Sequence, residues 1–281
     1  MTGAEIAAAA QLACLLEVSA AKPGNVSPER HFHDTRYEDF LASAVAIGPA
    51  LAAAGTSPLG ATIRAAVEAT ARWTGSNTNL GIVLLLAPLA RAAARPDGTL
   101  RDRLAAVLDA TTVADAAETY AAIRRARPGG LGEASAEDVS AAPTVTLREA
   151  MALAAGRDAI AREYTTRFAL TFEVGAPALA EARGRGLAWT EATVEGFLAL
   201  LAAVPDTHIA RKLGWAEAER VTGRAREIVA AGGTATTEGR AALAALDAEL
   251  RDPRNSRNPG TTADLTCAAL FVVIIEGGWD R

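Results

Sequence analysis

Residues Thr261–Glu276 read TTADLTCAALFVVIIE, and this stretch decides the fold class. Its apolar run, Leu265 to Ile275, falls well short of the roughly 20 residues that span a bilayer. The threonines and Asp264 before it resemble a capping-box variant, with side-chain oxygens ready for the free N–H groups of a first helical turn. The stretch therefore reads as a core helix of a soluble protein.

Working outward, apolar residues recur at three- and four-residue spacing through most of the 281 residues, and period-two alternation is almost absent. The spacing predicts helices over 3–20, 36–54, 58–73, 79–95, 99–110, 113–126, 146–168, 170–183, 190–203, 207–230, 235–251 and 261–276. Ser57 before Pro58 reads as an N-cap followed by proline at the first helical position. Residues 127–145 form the long irregular segment, of a length often found in lids or mobile surface pieces. No linker composition interrupts the chain, so the expectation is one all-α domain over residues 1–281, large enough to bury about three quarters of its unfolded surface.

A net charge of −5 argues against nucleic acid, whose binding needs a broad basic face, but leaves room for a locally positive pocket. Cys14 and Cys267 sit in apolar helical patterns without metal-type spacing and read as buried thiols of a reducing compartment. The N-terminus has no basic residue before Lys22, unlike a secretory leader. A cytoplasmic protein without a membrane partner is expected.

The rare residue types carry the functional signal. Of 28 basic residues only Lys22 and Lys212 are lysine; the asparagines are Asn25, Asn77, Asn79, Asn255 and Asn258, and the histidines His31, His33 and His208. In a chain biased toward arginine, a surviving lysine marks a place where a compact ammonium differs from a planar fork. All ten residues fall in four segments: Lys22–Asp34, Ser76–Gly81, Pro205–Lys212 and Asn255–Asp264. Turn preference accounts for asparagine and glycine in loops, but not for both lysines and all three histidines.

Two of these segments precede strongly apolar helices, where free N–H groups and the helix dipole favour an anion. The expected polyphosphate contacts are Lys22, Gly24, Asn25, Asn77, Thr78, Asn79, Gly81, Thr207, Arg211, Lys212, Asn258, Gly260, Thr261 and Thr262. Glycine lets backbone approach phosphate oxygens, and lysine and arginine add charge. Asp34, Asp206 and Asp264 are the expected metal carboxylates, since magnesium takes one or two carboxylates beside phosphate oxygens. These three and His208, as base or ligand contact, are the candidate catalytic groups. Asp39 reads as a solvated first-turn charge, and His31 and His33 lack the spacing of a helical zinc pair.

Together the segments resemble the triphosphoribosyl-dephospho-CoA synthase family. The matching residues are Lys22-Pro23-Gly24, Asp34, Asn77-Thr78 with Gly81, Asp206-Thr207 with Arg211, and Pro259-Gly260 with Ala263-Asp264-Leu265. The resemblance implies a transferase that displaces adenine from ATP and joins the ribose C1 to a hydroxyl of dephospho-CoA, with magnesium. Asn79-Leu80 stands where the family pattern carries His-Lys. Other small acceptors therefore stay open, among them a precursor of a methanopterin- or methanofuran-type one-carbon carrier. Hydrolysis of a nucleotide N-glycosidic bond and a non-catalytic helical binding module are the remaining alternatives, and a homodimer is compatible with each.

Overall fold

The computed structural model describes residues 1–130, 132 and 134–279. Among them no strand forms; the fold is all-α, as the periodicity predicts, and extended pairing is limited to an isolated Ser27–Arg30 bridge. The helices are α1 (Gly3–Ser19), α2 (Tyr37–Ala46), α3 (Gly48–Ala52), α4 (Leu59–Thr70), α5 (Leu80–Ala93), α6 (Leu100–Asp109), α7 (Val113–Ala126), α8 (Leu147–Ala154), α9 (Ala159–Thr166), α10 (Ala176–Gly184), α11 (Trp189–Ala203), α12 (Thr207–Leu213), α13 (Trp215–Ala230), α14 (Thr237–Leu250) and α15 (Gly260–Ile275). A π-helical turn, Thr171–Gly175, leads into α10. The chain divides into two compact units, Met1–Cys14 with Glu38–Ala169, and Leu15–Tyr37 with Leu170–Arg281.

In the first unit α5 is buried from Ile82 through Ala90, which explains its uninterrupted apolar sequence. Pro88 lies inside that helix and has no N–H to offer Leu84 four residues back. The orphaned Leu84 carbonyl is taken by the hydroxyl of buried Tyr164 at 2.6 Å. Desolvation raises the Tyr164 phenol above its ordinary range, so it stays a donor. Pro49 works the same way: the Val45 carbonyl it cannot serve accepts from the Gln11 amide at 3.0 Å.

Three predicted helices are interrupted. Residues 36–54 split at Ile47 into α2 and α3, with Pro49 in the first turn of α3. Residues 146–168 split because Asp158 caps a new helix, α9, by accepting from the N–H groups of Ile160 and Ala161. Residues 207–230 split at Gly214, whose φ of 93° lies in the left-handed region and ends α12. The expected irregular segment is irregular in its described part, where Tyr120 donates to the Glu137 carbonyl and Asp138 accepts from the N–H groups of Ala134 and Ser140. Leu131 and Glu133 of that expected loop lie outside the described residues.

Both expected local caps are corrected. α4 starts at Leu59 and Ser57 makes no cap; the Gly60 N–H donates instead to Asp115 Oδ1 at 2.8 Å. α15 starts at Gly260 with no capping side chain of its own, and its acceptor is Asp206, 56 residues earlier.

The second unit packs around α11, α13 and α15. Phe197, Leu198, Leu201, Ile209, Val221, Ile228, Leu246 and Leu250 form one buried cluster that joins α11 to α14, with Ala20 and Ala263 at its edge. At about 25 cal/mol per Å² of apolar surface, each large side chain in it contributes roughly 1.5–3 kcal/mol. This cluster fixes the loops that lead into α12 and α15.

Candidate functional site

Three of the four polar segments lie in the second unit. The first is the turn after α1. Gly24 adopts φ 73°, and a Cβ there would meet Leu250 Cβ at 2.9 Å and Pro259 Cδ at 3.1 Å, so glycine is required on both counts. Its N–H donates to Asp247 Oδ1 at 2.8 Å, and Arg251 joins the same carboxylate to the Asn25 carbonyl at 3.0 Å. The Asn25 side chain is buried and donates to the Pro23 carbonyl. Asp247 and Arg251 carry no motif, and sequence reasoning missed them.

Lys22 is not a phosphate ligand in this arrangement. It is fully buried, and its ammonium donates to the carbonyls of Glu17 and Ala20 and pairs with Glu17 Oε1 at 3.0 Å. Three N–H bonds meet three acceptors, so the ammonium has no proton left for a ligand. Its rarity marks a buried ion pair, and the acidic half, Glu17, gave no signal among the alanines and leucines of α1.

Asp206 is the pivot of the second segment. Buried at 1 % exposure, it accepts with Oδ1 from the N–H groups of His208 and Ile209, capping α12, at 2.8 and 3.0 Å. Oδ2 accepts from the N–H and hydroxyl of Thr262, both at 2.7 Å, and so serves the first turn of α15. Thr207 and Thr261 close the same junction through their hydroxyls at 3.1 Å. Burial pushes the carboxyl above its ordinary value, and the four hydrogen bonds oppose the rise. The anion expected at the start of α15 is therefore the protein's own carboxylate.

That arrangement also removes Asp206 from the expected metal trio, since its acceptor capacity is spent. Among the described residues no group of three or more His, Cys, Asp or Glu side chains is placed to hold a metal ion. Asp34 is exposed, 3.8 Å from His33, and Asp264 is partly exposed one turn into α15. The donor set does not fit a metal held by all three carboxylates.

The third segment is folded by Asp252, another residue without a sequence signal. It accepts from the N–H of Arg254, the N–H and hydroxyl of Ser256, and the N–H of Arg257. Burial raises its carboxyl, but these bonds outweigh burial and the net value falls below the ordinary range. The loop so formed meets the other two segments: Lys212 Nζ donates to the Asn255 carbonyl at 3.3 Å, and the Asn255 amide donates to His33 Nδ1 at 3.0 Å. Partial burial lowers the Lys212 ammonium, with Asp252 opposing, Arg211 reinforcing, and Asp34 and Asp206 opposing in turn.

His208 completes the junction. A Cβ on Gly260 would stand 3.4 Å from its Cγ and Nδ1, so the ring packs against the start of α15, with Asn258 alongside. Nδ1 lies 3.5 Å from Arg211 Nη2, and Nε2 is buried without a hydrogen-bond partner. An unmet buried polar atom costs about 1–3 kcal/mol. Burial first, then Lys212 and Arg211, lower the imidazole to about 3, so it is neutral at physiological pH.

The fourth segment belongs to the first unit. Asn77 Oδ1 accepts from the Leu80 N–H at 3.1 Å at the start of α5. Thr78 shares a hydrogen bond with Ser43 at 2.5 Å, the Asn79 amide donates to Thr70 at 3.0 Å, and Gly81 sits in the first turn. Asp39 lies in the first turn of α2, as read from the sequence. No helix among the described residues is long and apolar enough to cross a membrane.

Over residues 3–281 the chain matches the family described as CitG: ATP:dephospho-CoA triphosphoribosyl transferase. A Klebsiella pneumoniae protein named 2-(5''-triphosphoribosyl)-3'-dephosphocoenzyme-A synthase is 36% identical over 114 residues, 41% of this chain and 38% of that one. A Stutzerimonas stutzeri relative carrying the same synthase name is 34% identical over 105 residues, 37% of this chain and 36% of its own. The matched stretches thus span under two fifths of those relatives' length. A solved structure from Archaeoglobus fulgidus bearing the name triphosphoribosyl-dephospho-CoA synthase superposes with a TM-score of 0.65 at 28% identity, covering 84% of this chain and 99% of that one.

Proposed function

The chain belongs to the CitG family of ATP:dephospho-CoA triphosphoribosyl transferases, and on that premise we propose that it transfers the triphosphoribosyl group of ATP to a hydroxyl of dephospho-CoA in the cytoplasm. The observation that carries the reading is the meeting of three segments in one unit, where Lys212, Asn255 and His33 are linked in series beside Arg211 and His208. Two cations and a half-buried, neutral imidazole at one junction suit a phosphate chain.

In the proposed reaction the C1′–N9 bond of ATP breaks and a C1′–O bond to the acceptor forms. The acceptor hydroxyl loses a proton, and the leaving adenine gains one. Arg211 and Lys212 hold the phosphates, with Asn258 and Gly260 lining the approach. Asp34 and Asp264 are assigned to the ribose. There a negative charge stabilises an oxocarbenium-like transition state. Magnesium enters as part of the substrate, bound to ATP phosphates, and no step is routed through a protein-held ion.

The test is incubation with magnesium-ATP and dephospho-CoA, followed by mass spectrometry. Equimolar adenine and a triphosphoribosyl adduct are expected. Adenine with ribose triphosphate and no adduct would establish hydrolysis instead.

A further inference from the structure

We propose that His208 is a substrate-binding donor, giving its Nε2 proton to a phosphoryl oxygen, and not the base that its place beside Asp206 suggests; this rests on the polyphosphate reading above.

The tautomer follows from its neighbour. A guanidinium has donors only, so the Arg211 Nη2 at 3.5 Å from Nδ1 requires a lone pair on Nδ1. A neutral imidazole with a lone pair on Nδ1 carries its single proton on Nε2. That N–H is buried and meets no acceptor, while the other polar atoms of the junction are satisfied through Asp206, Thr207, Thr261 and Thr262. A nitrogen that already holds a proton cannot remove one from an acceptor hydroxyl. What it lacks is an oxygen or nitrogen with a free lone pair.

The charge around the ring selects the kind of acceptor. Arg211 and Lys212 both bear on the imidazole. The start of α15, against which the ring packs, is already served by Asp206. An anionic oxygen is drawn by both cations and accepts from all three side chains, whereas a neutral hydroxyl engages the cations weakly. A phosphoryl oxygen meets that description, and inorganic tripolyphosphate is the smallest probe that carries it.

The experiment uses the whole chain, labelled with nitrogen-15, and long-range proton–nitrogen spectra of the imidazoles at neutral pH. The expected spectrum shows the Nε2–H tautomer of His208, and tripolyphosphate moves the Nε2 signals while Nδ1 stays unprotonated. His208→Leu should weaken tripolyphosphate about tenfold, and His208→Gln, whose amide reaches the Nε2 position, should restore most of that loss and most of kcat. A base would give the opposite pattern, since glutamine cannot take a proton and kcat would fall as far as in the leucine variant. Tripolyphosphate that binds without moving the His208 signals would overturn the inference and leave the polyphosphate reading standing. Absence of any tripolyphosphate binding would overturn that reading and the inference with it.

Discussion

Asp115 in the first unit and Asp206 in the second solve one physical problem in the same way, and their surroundings then diverge. Each is a buried carboxylate that serves two helix starts. Asp115 accepts from the Gly60 N–H of α4 and, through the Thr112 capping box, from the N–H and hydroxyl of Thr112 before α7. Asp206 accepts from two N–H groups of α12 and from Thr262 of α15. α4 and α7 approach so closely at Asp115 that a Cβ on Gly60 would lie 2.6 Å from its Cα, and the junction is filled by protein. Beside Asp206 stand an imidazole with an unmet N–H, a guanidinium and an ammonium. The lesson is that a capped helix junction becomes a candidate site through the groups it leaves open, not through the cap.

The largest expected effect separates folding charges from binding charges. Lys22→Met leaves Glu17 buried and unpaired, which typically costs 3–5 kcal/mol, and calorimetry should register a large fall in Tm. ATP affinity of the fraction that stays folded should be unchanged; a selective loss of affinity at full stability would return Lys22 to the phosphate.

Next come the two caps themselves. Asp115→Asn and Asp206→Asn should each destabilise by about 1–3 kcal/mol, since an amide offers one acceptor oxygen where two were in use. Turnover should distinguish them: the folded Asp115 variant stays within about threefold of wild type, while the Asp206 variant falls about a hundredfold as His208 loses its backbone anchor. Equal turnover in both variants would make the junctions equivalent and remove the ground for treating one as a site.

A smaller effect tests the turn that meets the second junction. Gly24→Ala must hold a left-handed backbone while its Cβ presses on Leu250 and Pro259, and a loss of about 1–3 kcal/mol in urea unfolding is expected. The last effect is a pH dependence, read as the slope of stability per pH unit. The folded His208 value of about 3 lies below the ordinary 6.5, so the unfolded chain takes up the proton first. Stability is intact above about 6.5 and declines toward about 3, by at most ~1.4 kcal/mol per pH unit. Burial raises Asp206 and contributes the opposite slope from about 3.8 upward, so the net decline is shallower. His208→Phe should flatten it; an unchanged slope would show that the imidazole is not held neutral by its surroundings.

Most of the helices were legible because apolar spacing is a local property, and the all-α class follows from it. What was not legible is nearly all long-range. The caps of α4 and α15 read as local serine and threonine, yet the acceptors lie 55 and 56 residues away. The breaks at Pro49 and Gly214 depend on backbone geometry that spacing does not report. Lysine scarcity singled out Lys22 and Lys212 correctly as unusual, but only burial separates the one paired with Glu17 from the one that reaches Asn255. Asp247, Arg251 and Asp252 escaped notice because aspartate and arginine are common here, and their importance is a matter of partners.

The account stands on Arg211 and Lys212 gripping phosphate beside His208. Isothermal titration of magnesium-ATP into the wild type and into an Arg211→Met, Lys212→Met double variant tests it most directly. The account predicts a loss of affinity of about a hundredfold or more with little change in Tm. Equal affinity in the two proteins would contradict it.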